Sequence, residues 1–407
     1  MTKDVARPRI PTDVWVLVAA AFVVAIGYGL VAPVLPQFAQ SFDVSVTAAS
    51  VVVSIFAFFR LIFAPLGGSL VDRLGERRVY MSGLLIVALS TGAAGFSQTY
   101  WQLLLFRGLG GLGSTMFTIS AMALVVRLSP PAARGRVAGV YASAFLFGGV
   151  AGPVLGGALG NFGMRLPFFA YAGLLVVATI VVAVFLREGR ARSTTDGKNE
   201  SQPALTVREA IRDRAYVLSL VSAFANGWAA FGVRVAIIPL YAASTFDHGA
   251  GVAGGALASF ALGTALVVAA AGRMADRVGR KPMIITGLIV AGIATAGLAL
   301  VESVVFLIVS SAVAGFGAGM VNPAQQAVVA DIVGADRAAG KVMATFQMST
   351  DLGAIIGPVA IGLVVDFFGY QVSFLVTGAI LVAAGIAWLF GRETLSEAGY
   401  PGIAESS

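Results

Sequence analysis

The chain has 407 residues, of which 58% are hydrophobic and 12% charged, with a formal net charge of +7. A soluble domain carries roughly 45–50% apolar and about 25% charged residues, so lipid rather than water must cover most of this chain. There is no cysteine and His248 is the only histidine, which excludes disulfides, thiolate metal sites, a His-based zinc site and a multi-His proton relay.

A membrane span needs about 20 predominantly apolar residues. Twelve are read, numbered here as spans 1 to 12: 14–38, 45–69, 79–98, 101–126, 136–160, 166–186, 215–243, 250–272, 283–301, 304–330, 341–364 and 371–391. Period-two alternation is absent, which argues against an outer-membrane-type barrel. Helices are the remaining way to satisfy the backbone in lipid. The start, MTKDVARPRIPTD, is polar and the run after it is long enough to span, so no cleavable signal peptide is expected. The 50 glycines suit a bundle in which close backbone packing replaces the missing hydrophobic drive between helices.

The loops set the orientation. With the N-terminus in the cytoplasm, Lys3, Arg7 and Arg9, the arginines after span 2 (Arg73, Arg77, Arg78) and those after span 4 (Arg127, Arg134, Arg136) all lie inside. So do the central basic residues from Arg187 to Arg214, those after span 8 (Arg273, Arg277, Arg280, Lys281), Arg337 and Lys341 after span 10, and Arg392. Only Arg165 falls in an outer loop. The positive-inside rule is obeyed, and it accounts for the basic balance without nucleic acid. The expected organisation is a cytoplasmic tail (1–13), a six-helix half (14–186), a cytoplasmic linker (187–214), a second half (215–391) and a cytoplasmic tail (392–407). In the linker, STTDGKNESQP is polar and is broken by Pro203. The amphipathic ALTVREAIRDR reads either as a surface helix or as an extension of span 7.

The halves repeat. Gly68, Asp72, Arg73 and Gly75 align with Gly272, Asp276, Arg277 and Gly279 at a shift of 204 residues. Gly148, Gly152, Pro153 and Gly157 align with Gly353, Gly357, Pro358 and Gly362 at a shift of 205. Pro36 in span 1 corresponds to Pro239 in span 7. Duplicated halves with a midplane site between them suit alternating access.

On these motifs the chain resembles the major facilitator superfamily over essentially its whole length. Gly68-Ser69-Leu70-Val71-Asp72-Arg73-Leu74-Gly75 resembles that family's signature loop between helices 2 and 3, and it recurs between helices 8 and 9. Arg107-Gly108-Leu109-Gly110-Gly111 resembles the helix 4 motif, whose arginine the family links to proton movement. The run from Gly148 through Gly152, Pro153 and Gly156 to Gly157 resembles the helix 5 motif of exporters, above all drug/proton antiporters, and PVLP at 33–36 fits the same twelve-helix branch. The resemblance implies an all-α membrane protein of two pseudo-symmetric six-helix bundles. It also implies a secondary transporter: proton-coupled efflux of a lipophilic or amphiphilic molecule, or alternatively symport or uniport of a small metabolite. The absence of an acid in spans 1 and 4 departs from several drug antiporters.

The family pairs an arginine such as Arg280 with an acid such as Asp331; the N-terminal equivalents are Glu76 and Arg127, with the charges exchanged. The two pairs read as matched cytoplasmic latches or as solvated surface pairs worth about 0–1 kcal/mol each.

An ionisable side chain at a helix centre costs about 2.5–3.5 kcal/mol on insertion scales, so each one calls for a reason. Arg60 in span 2 and Asp351 in span 11 lie at similar depths, roughly 13–17 Å from the cytoplasmic ends, and the family sets these helices side by side across the interface between halves. They read as a proton-coupling pair, Arg60 stabilising the ionised form of Asp351 in one state only, or as a static ion pair. Arg107 reads as attracting an anion, acting on a neighbour's protonation, or snorkelling to the headgroups. Arg234, nearer the outer end, reads first as snorkelling and second as a cavity residue. Asn322, Gln325 and Gln326 in span 10 and Gln347 in span 11 form a polar stripe that either lines the cavity or bonds helix to helix. Tyr28, Asn226 and Trp228 are candidates for the same cavity. Pro153 and Pro358 read as kinking or packing residues.

No P-loop GxxxxGK[ST] occurs, and neither a nucleophile–base pair nor a metal cluster is present, so an enzyme or an ATP-driven pump is not expected. A receptor or sensor usually needs an added signalling domain, and the tails are short. The expected partners are a small-molecule substrate, protons and membrane lipid, with no cofactor, in a monomer of the plasma membrane, the bacterial inner membrane in particular.

Overall fold

The computed structural model describes residues 10–129, 133–186, 205–300, 302–334 and 340–395. Most of the expected tails, the linker up to residue 204 and Arg337 lie outside these segments. The described residues form helices and no strand. Among the described residues, nine helices are long and apolar enough to cross a membrane, or ten when the bent pair Val46–Ile62 and Ala64–Leu74 counts as one span. The longest helical stretch, Gly340–Ala387, doubles back at Gly369, whose φ of 84° is open to glycine, and so covers spans 11 and 12. The expected span 9 is the helix Arg280–Gly297, whose apolar average is lowered by Arg280 and Lys281 in its first turn.

Pro65 explains the bent pair. Its ring has no N–H and clashes with the carbonyl four residues back, and the helix breaks at Phe63 with a bend of 50°. Span 8, its repeat partner, runs unbroken from Gly249 to Val278.

The glycine motifs sit where backbones meet. Gly148, Gly152 and Gly156 of span 5 lie against Ala25, Ile26, Gly29 and Leu30 of span 1, while Gly157 faces Ala250 and Gly254 of span 8. The second half repeats this: Gly353 and Gly357 of span 11 lie against Phe224 and Trp228 of span 7, and Gly362 faces Thr47 of span 2. Gly148 meets Phe22 and Ile26, and Gly353 meets Phe224 and Trp228, an offset of two residues fewer than the 204 of the signature loops. Farther along, Gly29 faces Gly152 and Gly232 faces Gly357, so one residue has been gained in span 7 between Trp228 and Gly232. A π-helical stretch, Trp228–Ile237, absorbs it.

One face of the bundle carries the described loop arginines other than Arg165 and is called here the basic face; the opposite one is the far face. The halves are joined from the far face inward. Gln37 Nε2 donates to the Pro239 carbonyl at 3.1 Å. Asp366 accepts from the backbone N–H groups of Val46 and Thr47 at 3.0 and 2.9 Å. Deeper, Ser54 Oγ donates to the Ile355 carbonyl at 2.7 Å. Among the described residues, the bond between halves nearest the basic face is Arg60 to Asp351, just before the Pro65 break.

A Cβ on Gly156 would run into the Leu30 carbonyl, whereas one on Gly173 meets nothing within 4 Å. Gly156→Ala should therefore lower the detergent melting temperature by several degrees, and Gly173→Ala should leave it unchanged or raise it, since alanine favours helix by roughly 0.5–1 kcal/mol. Equal melting temperatures for the two variants would contradict this packing.

Candidate functional site

Between the halves lies a cavity of about 340 Å³. Spans 1, 2, 3, 4, 5 and 6 contribute most of its wall, including Tyr28, Phe56, Ser114, Phe117, Thr118, Phe145 and Tyr171. The second half adds Phe231, Asp351 and Ala354. Phe231 belongs to the stretch of span 7 that carries the extra residue, so the π-turn presents it to the cavity. The wall is aromatic and apolar with few polar groups, as small-molecule sites commonly are.

Arg60 and Asp351 both line this cavity. Arg60 Nη2 lies 3.2 Å from Asp351 Oδ1, with side-chain exposures of 38% and 15%. Both groups therefore remain within reach of water, and the pair bridges the two halves at the cavity wall. Gln347 Nε2 stands 3.5 Å from the same carboxylate oxygen, one helical turn along span 11.

Arg107 is 7% exposed and lies over the Phe56 ring, 4.7 Å from its centroid. This is a buried stacking position, so the snorkelling reading is corrected. Its cleft is bounded by Tyr28, Phe56 and Tyr171, the rings that line the main cavity on their other side. Arg234 is 4% exposed, donates from Nη2 to Thr295 Oγ1 at 2.7 Å and lies over Phe260 at 5.0 Å. It neither snorkels nor lines the cavity. Turning inward gives its guanidinium a hydroxyl and a ring inside the second half.

Most of the polar stripe is also placed elsewhere. Asn226 Nδ2 donates to Asn322 Oδ1 at 2.7 Å. Gln325, 1% exposed, donates to Ser222 Oγ at 2.6 Å. Trp228 Nε1 donates to Thr377 Oγ1 at 3.2 Å. These bonds run between helices of one half, because residues 322 and 325 share the face of span 10 that meets span 7. Gln326, one position on, is turned to the exposed side and does not line the cavity.

Toward the basic face, Arg127 Nη1 approaches Glu76 Oε2 to 2.7 Å. That oxygen has no aligned hydrogen-bond donor, so the contact is ionic rather than a directed bond. Arg280 Nε donates to Asp331 at 3.1 Å and its Nη1 to Asp276 at 2.7 Å. Gly75 and Gly279 hold φ of 83° and 114°, the turns that bring these charges to the helix starts. Gly68 and Gly272 have open space where a Cβ would go, and Asp72, Arg73 and Arg277 are exposed.

Two acids escape a reading based on span centres. Glu393 accepts from the backbone N–H groups of Arg280 and Lys281, capping span 9 from the chain's C-terminal segment. Partial burial raises its pKa, but four backbone N–H bonds outweigh that and bring it below the ordinary value. Asp366 closes the far face onto the start of span 2. Partial burial raises its pKa too, and the bonds from Thr47 and Val46 outweigh it, with a net lowering. The shift of 205 that aligns the helix 5 and helix 11 motifs sets Asp366 opposite Asn161, a signal already present in the repeat.

A profile of the Major Facilitator Superfamily matches residues 17–257 and 219–404. The chain belongs to the major facilitator superfamily. It is a multi-pass membrane transporter of small molecules, not an enzyme. Among its relatives are Multidrug resistance protein 1 of Bacillus subtilis (strain 168), 28% identical over 92% of this chain and 95% of that one, and the Quinolone resistance protein NorA of Staphylococcus aureus (strain MRSA252), 26% identical over 87% and 90%. Among solved structures, a bacterial homologue of the human lysosomal transporter Spinster, inward-facing and unoccupied, superposes with a TM-score of 0.76 at 19% identity, covering 94% of this chain and 97% of the other. A peptide transporter superposes with the same score at 13% identity over 93% and 94%.

Two tests follow from this geometry. The Asp366 clasp is intact above the ordinary carboxyl range and is lost only as pH falls through the lowered value, so it should survive a pH at the far face down to about 5. Asp366→Asn should loosen it. The chain has no cysteine, so a single Thr118→Cys reports cavity access. Far-face labelling by an impermeant maleimide should rise several-fold in Asp366→Asn, and unchanged labelling would reject the clasp. Glu76→Arg alone should cut transport several-fold and Glu76→Arg with Arg127→Glu should restore it. Normal flux in the single variant would reduce this pair to surface decoration.

Proposed function

We propose that this transporter exports lipophilic or amphiphilic small molecules from the cytoplasm in exchange for protons, by alternating access in the plasma membrane, the bacterial inner membrane in particular. The basic face is the cytoplasmic one, with both termini there, and the protein works as a monomer driven by the proton gradient without ATP or cofactor. The observation that carries this reading is the Arg60–Asp351 pair, which joins the two halves at the wall of the cavity they enclose. Asp351 is the only carboxylate placed well inside the expected spans. The names of the relatives, multidrug and quinolone resistance proteins, support the export direction and the cargo class.

In the arrangement described, the far face is closed and the pair is formed. An opposite charge alongside favours the ionised carboxylate. Once the halves have tilted with cargo bound and the cavity is open to the far face, a proton taken up there by Asp351 removes that attraction, and the halves are free to tilt back after the cargo has left. Release of the proton to the less acidic cytoplasm re-forms the bond and leaves the aromatic cavity ready for the next cargo molecule. The paired latches at Glu76–Arg127 and Arg280–Asp331 hold the helix ends of each half on the cytoplasmic face during this movement.

Proteoliposomes loaded with a fluorescent amphiphilic dye, under imposed pH gradients of either sign, test the reading. Wild-type protein should move dye against its gradient when the proton gradient runs the opposite way. Asp351→Asn should abolish uphill movement while leaving downhill exchange measurable. Uphill transport retained in Asp351→Asn would remove Asp351 from proton coupling.

A further inference from the structure

The expected spans hold three arginines well inside, Arg60, Arg107 and Arg234, against the single acid Asp351. Asp351 is bound to Arg60. Arg234 is thus left as a buried cation, and among the described residues no carboxylate pairs with it. It is 4% exposed. Nη2 donates to Thr295 and the guanidinium lies over Phe260, but the buried Nη1 amino group has no partner. Beside it is a small cleft whose wall includes Asn226, Thr295 and Phe260, with room for one water-sized species. Asn226 spends one amide proton on Asn322 and retains a second. The remaining wall is mostly alanine and leucine. A neutral water there would satisfy a hydrogen bond and leave the charge uncompensated. Buried charges are otherwise found paired, because an isolated ion in a low-dielectric interior costs far more than a hydrogen bond returns.

Arg107 offers a contrast. It stacks on Phe56, which the repeat aligns with Phe260, but the fully buried nitrogen it leaves without a partner is Nε, and its cleft is bordered by two tyrosines. Arg234 instead buries a whole amino group without a partner, beside a cleft whose wall is mostly apolar.

We propose that the Arg234 cleft is a binding site for a small monovalent anion, with chloride the physiological species, seated between Arg234 Nη1 and the Asn226 amide. The site lies behind the π-helical stretch that delivers Phe231 to the cargo cavity, so it braces that stretch from inside the second half.

The test uses the full chain in detergent, with sodium chloride exchanged for sodium gluconate at constant ionic strength. A ligand that binds only the folded protein raises its melting temperature with saturation. Chloride should raise it by about 2–4 °C, bromide should substitute, and Arg234→Met should abolish the dependence. Crystals of the unaltered protein grown in bromide should show an anomalous peak next to Nη1, a readout that does not need the variant to fold. Equal melting in chloride and gluconate, a halide effect that persists in Arg234→Met, or a water in the cleft with bromide absent would each overturn the proposal. None of these readouts depends on cargo export or proton coupling.

Discussion

A carboxylate and an arginine share one bond at the seam between two halves that are otherwise built to slide apart. Arg60 and Asp351 are tolerated inside a hydrocarbon slab because each neutralises the other. The seam above them is polar but uncharged down to Ser54, and it ends in the Asp366 clasp. Below them span 2 turns away at Pro65. Among the described residues, the one ion pair between halves therefore sits where contact gives way to cavity. There, a change in protonation alters the attraction between the bundles rather than a surface detail.

The duplication makes this placement visible by its failures. The shifts that align the signature loops and the glycine motifs set Arg60 opposite Thr264, Asp351 opposite Leu146, Pro65 opposite Ala269 and Asp366 opposite Asn161. On the seam between spans 5 and 8 glycine packs on glycine, with Gly157 against Gly254. One seam is thus charged, hinged and clasped, and the other is a smooth contact of small residues. Symmetric packing sets the architecture, and the charged chemistry lies where the two halves differ.

Close backbone contact also explains how a single extra residue is accommodated. Spans 1 and 7 are gripped by the same glycine pattern, so an additional residue in span 7 cannot be pushed to either end without losing register. It is stored as a π-helical stretch between the two grips. That stretch carries Phe231 into the cavity and turns Arg234 into the second half, where it stacks on Phe260.

The all-helical architecture, the repeat, the basic face and the shared level of Arg60 and Asp351 were legible in the amino-acid order. Each follows from local properties: apolar length, recurring glycines, loop charge and helical rise. The amino-acid order also narrowed the charges well inside the expected spans to four residues. It did not say which way a side chain on a given turn would point. Asn322, Gln325 and Arg234 have the composition of cavity residues, yet they bond within their own half, and the aromatic wall came from phenylalanines that look no different from those facing lipid. The clasp at Asp366 joins residues some three hundred positions apart. Rotation about a helix axis and contact between distant helices are decided by how all the helices pack at once, and only the tertiary structure supplies that.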